Sequence, residues 1–279
     1  KKAAPKKAAP KKAAPKKAAP KKAAPAKSVP AKKQAGKTPV KVVKKPDLPP
    51  PVSKPAVAPS RSGPSRPQGK ILPRAFLADL AKAIRDAVQP IAQSAKGREI
   101  VSQATSGDAT FEIDLVAERA LLSFLKNARA PVAYYSEDAG YSTFSNAQPK
   151  NLLIVDPIDG TRAAKSGFEG CVVAIASTRV IERPTMADVD SAFILDIFGN
   201  RMFYAERGKG ARVYEGEQLK RPRLSQNTNL ETVAWSMTVP ARPAELIFPT
   251  AARLIDLTSL KGGFFACNST SFSLTRLLT

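Results

Sequence analysis

The sequence predicts an α/β domain (α+β in composition) behind a disordered tail, and three observations carry that prediction. A basic, proline-rich composition gives way near residue 70 to one in which acidic and basic residues nearly balance. Beyond that point some stretches place their apolar residues at helical spacing. Interspersed with them are short, continuously apolar runs bounded by Gly, Pro, Asn or Asp, as buried strands are.

The tail comes first. Lys-Lys-Ala-Ala-Pro is repeated five times from Lys1 to Pro25 and decays into a Pro/Lys/Ser mixture that ends near Gly69. Residues 1–70 hold nineteen Lys, two Arg and one Asp, a net +20 of the chain's +22, whereas residues 71–279 carry only +2. A proline every fifth residue forbids a continuous helix, and no aromatic precedes Phe76, so the tail is expected to be disordered with polyproline II character. Such a chain binds nucleic acid or another polyanion by releasing counterions, without reading bases. The other reading is a solvated, self-repelling linker, or a mis-joined frame. In composition the tail resembles the Lys/Ala/Pro-rich tails of linker-histone-like proteins.

Composition also excludes. With no histidine anywhere, Ser-His-Asp and Cys-His catalysis and His-ligated zinc are ruled out. Cys171 and Cys267 both lie in apolar surroundings and read as reduced core thiols, not a disulfide framework. No apolar run reaches transmembrane length, so no membrane partner is expected. The chain opens on Lys1, so a signal peptide is not readable, and a piece shortened at both ends is expected. The expected location is cytoplasmic, or nucleoid- or chromatin-associated through the tail.

In the folded part, Pro73 to Ser94 reads as an amphipathic helix with Phe76, Leu77, Leu80, Ile84, Ala87, Val88 and Ile91 on one face, kinked by Pro90 in its last turn. A polar glycine loop, Thr105 to Asp114, then leads to a second helix with Asp114 at its N-cap and Leu115, Val116, Ala120, Leu121, Phe124 and Leu125 on its buried face. Pro131 to Tyr135 is a strand that delivers Ser136-Glu137-Asp138. Cys171 to Ser177 is a strand buried on both faces. Asp188 to Phe198 and Arg201 to Glu206 form a hairpin around Gly199-Asn200, and Arg207 to Ala211 is a glycine turn. A strand from Glu231 to Ser236, a helix from Pro243 to Leu257 and a helix from Ser269 to Leu278 complete the series.

The chemistry concentrates in Asn151-Leu152-Leu153-Ile154-Val155-Asp156-Pro157-Ile158-Asp159-Gly160-Thr161. A buried strand here runs into two carboxylates, with Pro157 fixing φ and Gly160 permitting a turn that other residues resist. Read alone, Asp156 and Asp159 could be ordinary turn residues, since Asp-Pro and Asp-Gly pairs are common punctuation. If this strand neighbours the one ending at Glu137, then Glu137, Asp156 and Asp159 crowd together. Like charges so placed repel at low dielectric, and a bound divalent cation relieves them; Mg²⁺ takes oxygen ligands of this kind.

In order and spacing, Ser136-Glu137-Asp138, Asp156-Pro157-Ile158-Asp159-Gly160-Thr161 and Ala205-Glu206-Arg207-Gly208-Lys209-Gly210-Ala211 resemble the inositol monophosphatase family of Mg²⁺-dependent, lithium-sensitive phosphomonoesterases, over about residues 71–279. The resemblance implies a layered αβαβα sandwich of the inositol monophosphatase and fructose-1,6-bisphosphatase type. Its N-terminal α+β half would cover about 71–226, and the beginning of its C-terminal α/β half about 227–279. It implies two or three Mg²⁺ ions, with Glu137, Asp156 and the Ile158 carbonyl on the first, Asp156 and Asp159 on the second, and Glu137 acting through water on the third. Thr161 and Glu137 would orient the attacking water, Asp114 would support the Thr161 hydroxyl, and the Gly160-Thr161 amides would receive the phosphate. The implied partner is a small phosphorylated metabolite: inositol monophosphate by default, with fructose 1,6-bisphosphate, 3′-phosphoadenosine 5′-phosphate or histidinol phosphate as alternatives. A homodimer is compatible with it. The reading from a different class is a polyanion-binding protein with an inactive phosphatase-like domain.

Three departures qualify the resemblance. Gln103 stands where the family has a lysine five residues before the aspartate matched by Asp108. The loop Arg162 to Glu169 differs from the commonest inositol phosphatase form. Cys267 to Phe272 matches a Gly-Ser-bearing segment, and the Trp-Asp segment that the resemblance implies some twenty residues later, with its further metal-binding aspartate, would fall past Thr279.

Overall fold

The structure is a computed structural model that describes residues 69–103, 109–143, 148–238 and 244–278. The tail up to residue 68, and residues 104–108 with Asp108 among them, lie outside the described residues.

In chain order the elements are α1 (Arg74–Val88), β1 (Ile100–Gln103), β2 (Ala109–Phe111), α2 (Glu112–Ala128), β3 (Val132–Ser136), β4 (Gly140–Thr143), β5 (Asn151–Asp159) and α3 (Thr161–Ser166). There follow β6 (Val172–Thr178), β7 (Val189–Asp196), β8 (Arg201–Glu206), β9 (Gly210–Glu215), β10 (Gln218–Lys220), β11 (Ala234–Thr238), α4 (Ala244–Thr258), β12 (Gly263–Cys267) and α5 (Thr270–Thr275). Eight strands form one mixed sheet in the order β10-β9-β8-β7-β6-β5-β3-β4. Every pairing in it is antiparallel except β3 with β5. The expected layered α/β architecture is therefore observed, with helices packed on a large mixed sheet.

The core explains the layering. Leu77, Leu80, Ile84 and Val88 of α1 and Ile113, Leu121 and Leu125 of α2 are essentially inaccessible to solvent. Both helices pack against the sheet, α1 over β6 and β7 and α2 over β5. They meet Val155, Val173, Ile175, Phe193 and Leu195 in one cluster. Truncating such a side chain, Leu80→Ala for example, costs roughly 2–5 kcal/mol.

Several boundaries differ from expectation. Helix α1 ends at Val88 and is not kinked within Ser94: Pro90 has no N–H to give the Asp86 carbonyl, and Ile91 and Ala92 instead turn back onto the Val88 carbonyl. Asp114 is not the N-cap of α2 but its third residue, and its Oδ2 accepts the Phe111 N–H at 2.8 Å, one half of a capping box. The strand expected from Glu231 begins at Ala234, because Asn227 and Asn229 side chains accept the amides of Asn229 and Glu231 and hold a turn there. The Arg207 to Ala211 turn joins β8 to β9, a hairpin whose second strand was not anticipated.

Beyond the large sheet, β11 and β12 pair in parallel with α4 between them in the chain. Helix α5 follows β12 and touches β5, β6, β11 and β12. Cys171 is buried and Cys267 half-buried, and both are free thiols. Among the described residues no helix is long and apolar enough to cross a membrane.

Candidate functional site

The parallel pairing of β3 and β5 builds the site. Its register sets Ser136 opposite Val155, so the next residue of each strand, Glu137 and Asp156, emerges at the same end of neighbouring strands. Sequence spacing alone would send Asp156 and Asp159 to opposite faces of a regular strand, since side chains alternate. Opposite them, Ala174 and Val172 of β6 are only two residues apart, so β5 carries one extra residue there. This bulge sits at Pro157, which has no amide to lend to the ladder. It breaks the alternation and lets both carboxylates serve one pocket. Across the bulge the Ile158 N–H donates to Asp156 Oδ1 at 3.1 Å.

Gly160 then turns the chain into α3 with φ +104°, and a Cβ there would lie 2.6 Å from the Gly170 carbonyl oxygen. No other residue fits. The turn presents Thr161, whose hydroxyl lies 2.9 Å from Asp114 Oδ1 and 3.2 Å from the Ile158 carbonyl. Its single proton is shared between those two acceptors.

Asp114, Glu137, Asp156, Asp159, Gly160 and Thr161 line one pocket of about 220 Å³, with Ile158 in its wall. All seven positions singled out in the sequence are thus brought together. The Ala205 to Ala211 stretch is not among its lining residues; Glu206 lies in that other hairpin, paired with Lys209. Gln103 ends β1, and the residues that follow it lie outside the described ones.

The pocket's carboxylates act on one another, with Arg162 the cation among its lining residues. Burial, then Asp159 and Glu137, push the Asp156 carboxyl up to about 7, against a smaller pull from the Ile158 N–H. Burial likewise raises Asp114 to about 6, with Asp138 and Glu137 adding, although the Phe111 N–H and the Thr161 hydroxyl favour its ionised form. Perturbation of this kind in a cleft marks functional sites.

Two contributors were not anticipated. The Ser271 N–H at the start of α5 donates to Asp159 Oδ2 at 2.7 Å, and Asn268 lines the pocket. Local sequence gives no sign of a contact spanning 112 residues. The available cues were the match of Cys267 to Phe272 to a Gly-Ser-bearing family segment and the run of small polar residues from Asn268 to Ser271.

The donors fit a hard cation in kind: carboxylates and one carbonyl, oxygen only, without His or thiol. Among the described residues no three acidic or Cys side chains are gathered closely enough to enclose one ion. The carboxylates stand around the pocket wall, and Asp159 and Asp156 each accept a backbone amide.

The sequence profile of the Inositol monophosphatase family matches residues 74–277. Similar curated proteins include the Bifunctional NADP phosphatase/NAD kinase of Methanococcus maripaludis, 26% identical over 163 residues, 55% of this chain and 29% of that protein. Another is the Fructose-1,6-bisphosphatase/inositol-1-monophosphatase of Methanothermobacter thermautotrophicus, 30% identical over 141 residues, 49% of this chain and 50% of that one. The chain thus spans half or less of these two relatives. Among solved structures, the extragenic suppressor protein suhB of Bartonella henselae shares the fold, with a TM-score of 0.58 at 19% identity over 73% of each chain.

Proposed function

The chain belongs to the inositol monophosphatase family, and from that premise we propose that it hydrolyses a small phosphate monoester with Mg²⁺, using water as the nucleophile. One observation carries the reading: Asp114, Glu137, Asp156, Asp159 and Thr161, drawn from three separate stretches of the chain, line a single pocket.

Glu137, Asp156, the Ile158 carbonyl and Asp159 are the groups that would hold the metal, two or three ions in all. When bound, Mg²⁺ supplies charge stabilisation to the phosphoryl oxygens and lowers the pKa of water. The protein's own residues do the rest. Thr161 donates its hydroxyl proton to Asp114 and the Ile158 carbonyl, so the Thr161 oxygen keeps lone pairs to accept from a water, which Glu137 would align with the phosphorus. The Gly160 and Thr161 amides face the phosphate oxygens. Because water is the nucleophile, no side chain forms a bond to phosphorus. The folded part we propose to divide near 226/227, with the pocket on the first half and Ser271 reaching it from the second.

Inositol monophosphate is the leading substrate. Fructose 1,6-bisphosphate, 3′-phosphoadenosine 5′-phosphate and histidinol phosphate form the panel against which it is measured. Mg²⁺-dependent phosphate release from one of these, abolished in Asp156→Asn, supports the reading. No release, or a variant equal to wild type, overturns it. The +20 net charge of residues 1–70 favours a second reading, a polyanion-binding protein with an idle phosphatase-like domain. Salt-sensitive DNA binding without any hydrolysis would select it.

A further inference from the structure

A buried acid lies beside the pocket and has no part in the chemistry above. Glu118 is 3% exposed and occupies the inner face of α2, one turn beyond Asp114. Its Oε1 accepts the Ser136 hydroxyl at 2.6 Å, and its Oε2 is buried without a hydrogen-bond partner. Neighbouring positions on that face, Ala117, Leu121 and Leu125, are apolar. An apolar residue at 118 would pack there without the penalty of a buried, half-satisfied carboxyl. Something other than packing accounts for the glutamate.

The direction of the hydrogen bonds shows what that is. Ser136 has one hydroxyl proton, and Glu118 takes it. The serine oxygen is thereby left to accept the Ala139 N–H at 3.2 Å. Ala139 closes the turn between β3 and β4, and Glu137 and Asp138 make up the rest of that turn. The chain from Glu118 through Ser136 to Ala139 therefore pins both ends of the segment that carries Glu137.

We propose that Glu118 is a positioning residue, which through Ser136 fixes the Glu137–Ala139 turn and so sets where the Glu137 carboxylate stands in the pocket. This rests on the proposed function insofar as Glu137 serves a metal. Glu118 itself touches neither metal nor substrate.

The test uses the full chain, with Mn²⁺ as the probe followed by electron paramagnetic resonance, and amide hydrogen exchange at Ala139 as a readout that needs no metal. Glu118→Ala and Ser136→Ala are each expected to weaken Mn²⁺ binding by about 10- to 100-fold, the usual effect of losing a group that orients a ligand. Each is also expected to speed Ala139 exchange by about tenfold or more as the turn loosens. Glu118→Gln keeps an acceptor oxygen and should rescue both readouts. The double variant should be no worse than either single one, because the two residues act in series. Ser136→Ala carries the test should Glu118→Ala fail to fold. If the variants lose thermal stability while Mn²⁺ affinity and Ala139 exchange stay at wild-type values, Glu118 is merely structural and the proposal is overturned. If wild type takes up no Mn²⁺ yet Ala139 exchange responds as stated, the proposed function falls and the hold on the turn stands.

Discussion

Acidic residues occur at both sides of the large sheet, and the protein treats them in opposite ways. Toward the β10 edge, each of three carboxylates has a cation. Arg179 grips Asp190 through two nitrogens at 2.8 and 2.9 Å, Lys209 meets Glu206 at 2.7 Å, and Glu215 pairs with Arg201 and Lys220. These partners hold all three carboxyls below the usual range. At the β3–β5 end, Asp114 and Asp156 are pushed upward, chiefly by burial, with other carboxylates adding to the shift. The first group is arranged for the folded state. The second is tolerated by it, as the metal binding proposed above requires.

Substitutions can break this comparison, and Asp156→Asn should have the largest effect. It should lower Mg²⁺-dependent phosphate release by about 10²–10³-fold, equivalent to about 3–4 kcal/mol of transition-state stabilisation. In metal-free buffer the same variant should melt no lower than wild type, because it removes a charge from a crowded, buried site. A variant that is active, or that unfolds more readily without metal, would erase the contrast.

The pH dependence comes next. Burial holds the Glu118 carboxyl at about 7, above its ordinary 4.5, with the Ser136 hydroxyl opposing and the Asp138 charge adding. Since the folded value is the higher one, the native state keeps the extra proton between these two pH values. The resulting stability is complete below about pH 4.5 and is lost as pH rises toward 7. At ~1.4 kcal/mol per pH unit the loss is roughly 3 kcal/mol. Urea unfolding of metal-free wild type and Glu118→Gln at pH 5 and pH 7.5 measures most of it, and the variant should show the flatter profile by about 2 kcal/mol.

On the paired side the effects should be smaller and confined to stability. Arg179→Ala leaves Asp190, 5% exposed, without its cation and should destabilise by about 2 kcal/mol, less than a fully buried pair because 28% of the Arg179 side chain reaches solvent. Chemical denaturation tests this, and Mg²⁺ affinity should not change. Smallest of all, Lys220→Ala removes an exposed partner of Glu215 and should leave the melting temperature within measurement error.

How far these features were legible in the sequence depended on their length and on what decided them. Helices α1 and α2 declare themselves by a long apolar stripe, and β3, β5, β6, β7 and β8 by apolar runs with clear punctuation. Strands β2 and β10 have three residues each, and Gln218-Leu219-Lys220 is exposed throughout, so neither leaves a period to read. Strand β12 follows Gly262 directly and begins on Gly263, which reads as a linker; its pairing with β11 is a tertiary fact. At the site, the acidic residue types and their order were legible because chemistry restricts them. The bulge that brings Asp156 and Asp159 to one pocket was not, since it exists only against β6. Glu118 lies outside the stripe read for α2, and its meaning required Ser136 on the strand beneath it.

The Ser271 amide that holds Asp159 is separated from it by 112 residues. As the polypeptide leaves the ribosome, β3, β5 and α3 are available well before that amide exists. Until Ser271 has emerged, Asp159 lacks the amide that holds it in the folded protein. The penalty for closing so long a loop grows only with the logarithm of its length, so the delay is thermodynamically mild. Kinetically it makes the closing of the pocket by Ser271 a later event than the local pairing of β3 with β5.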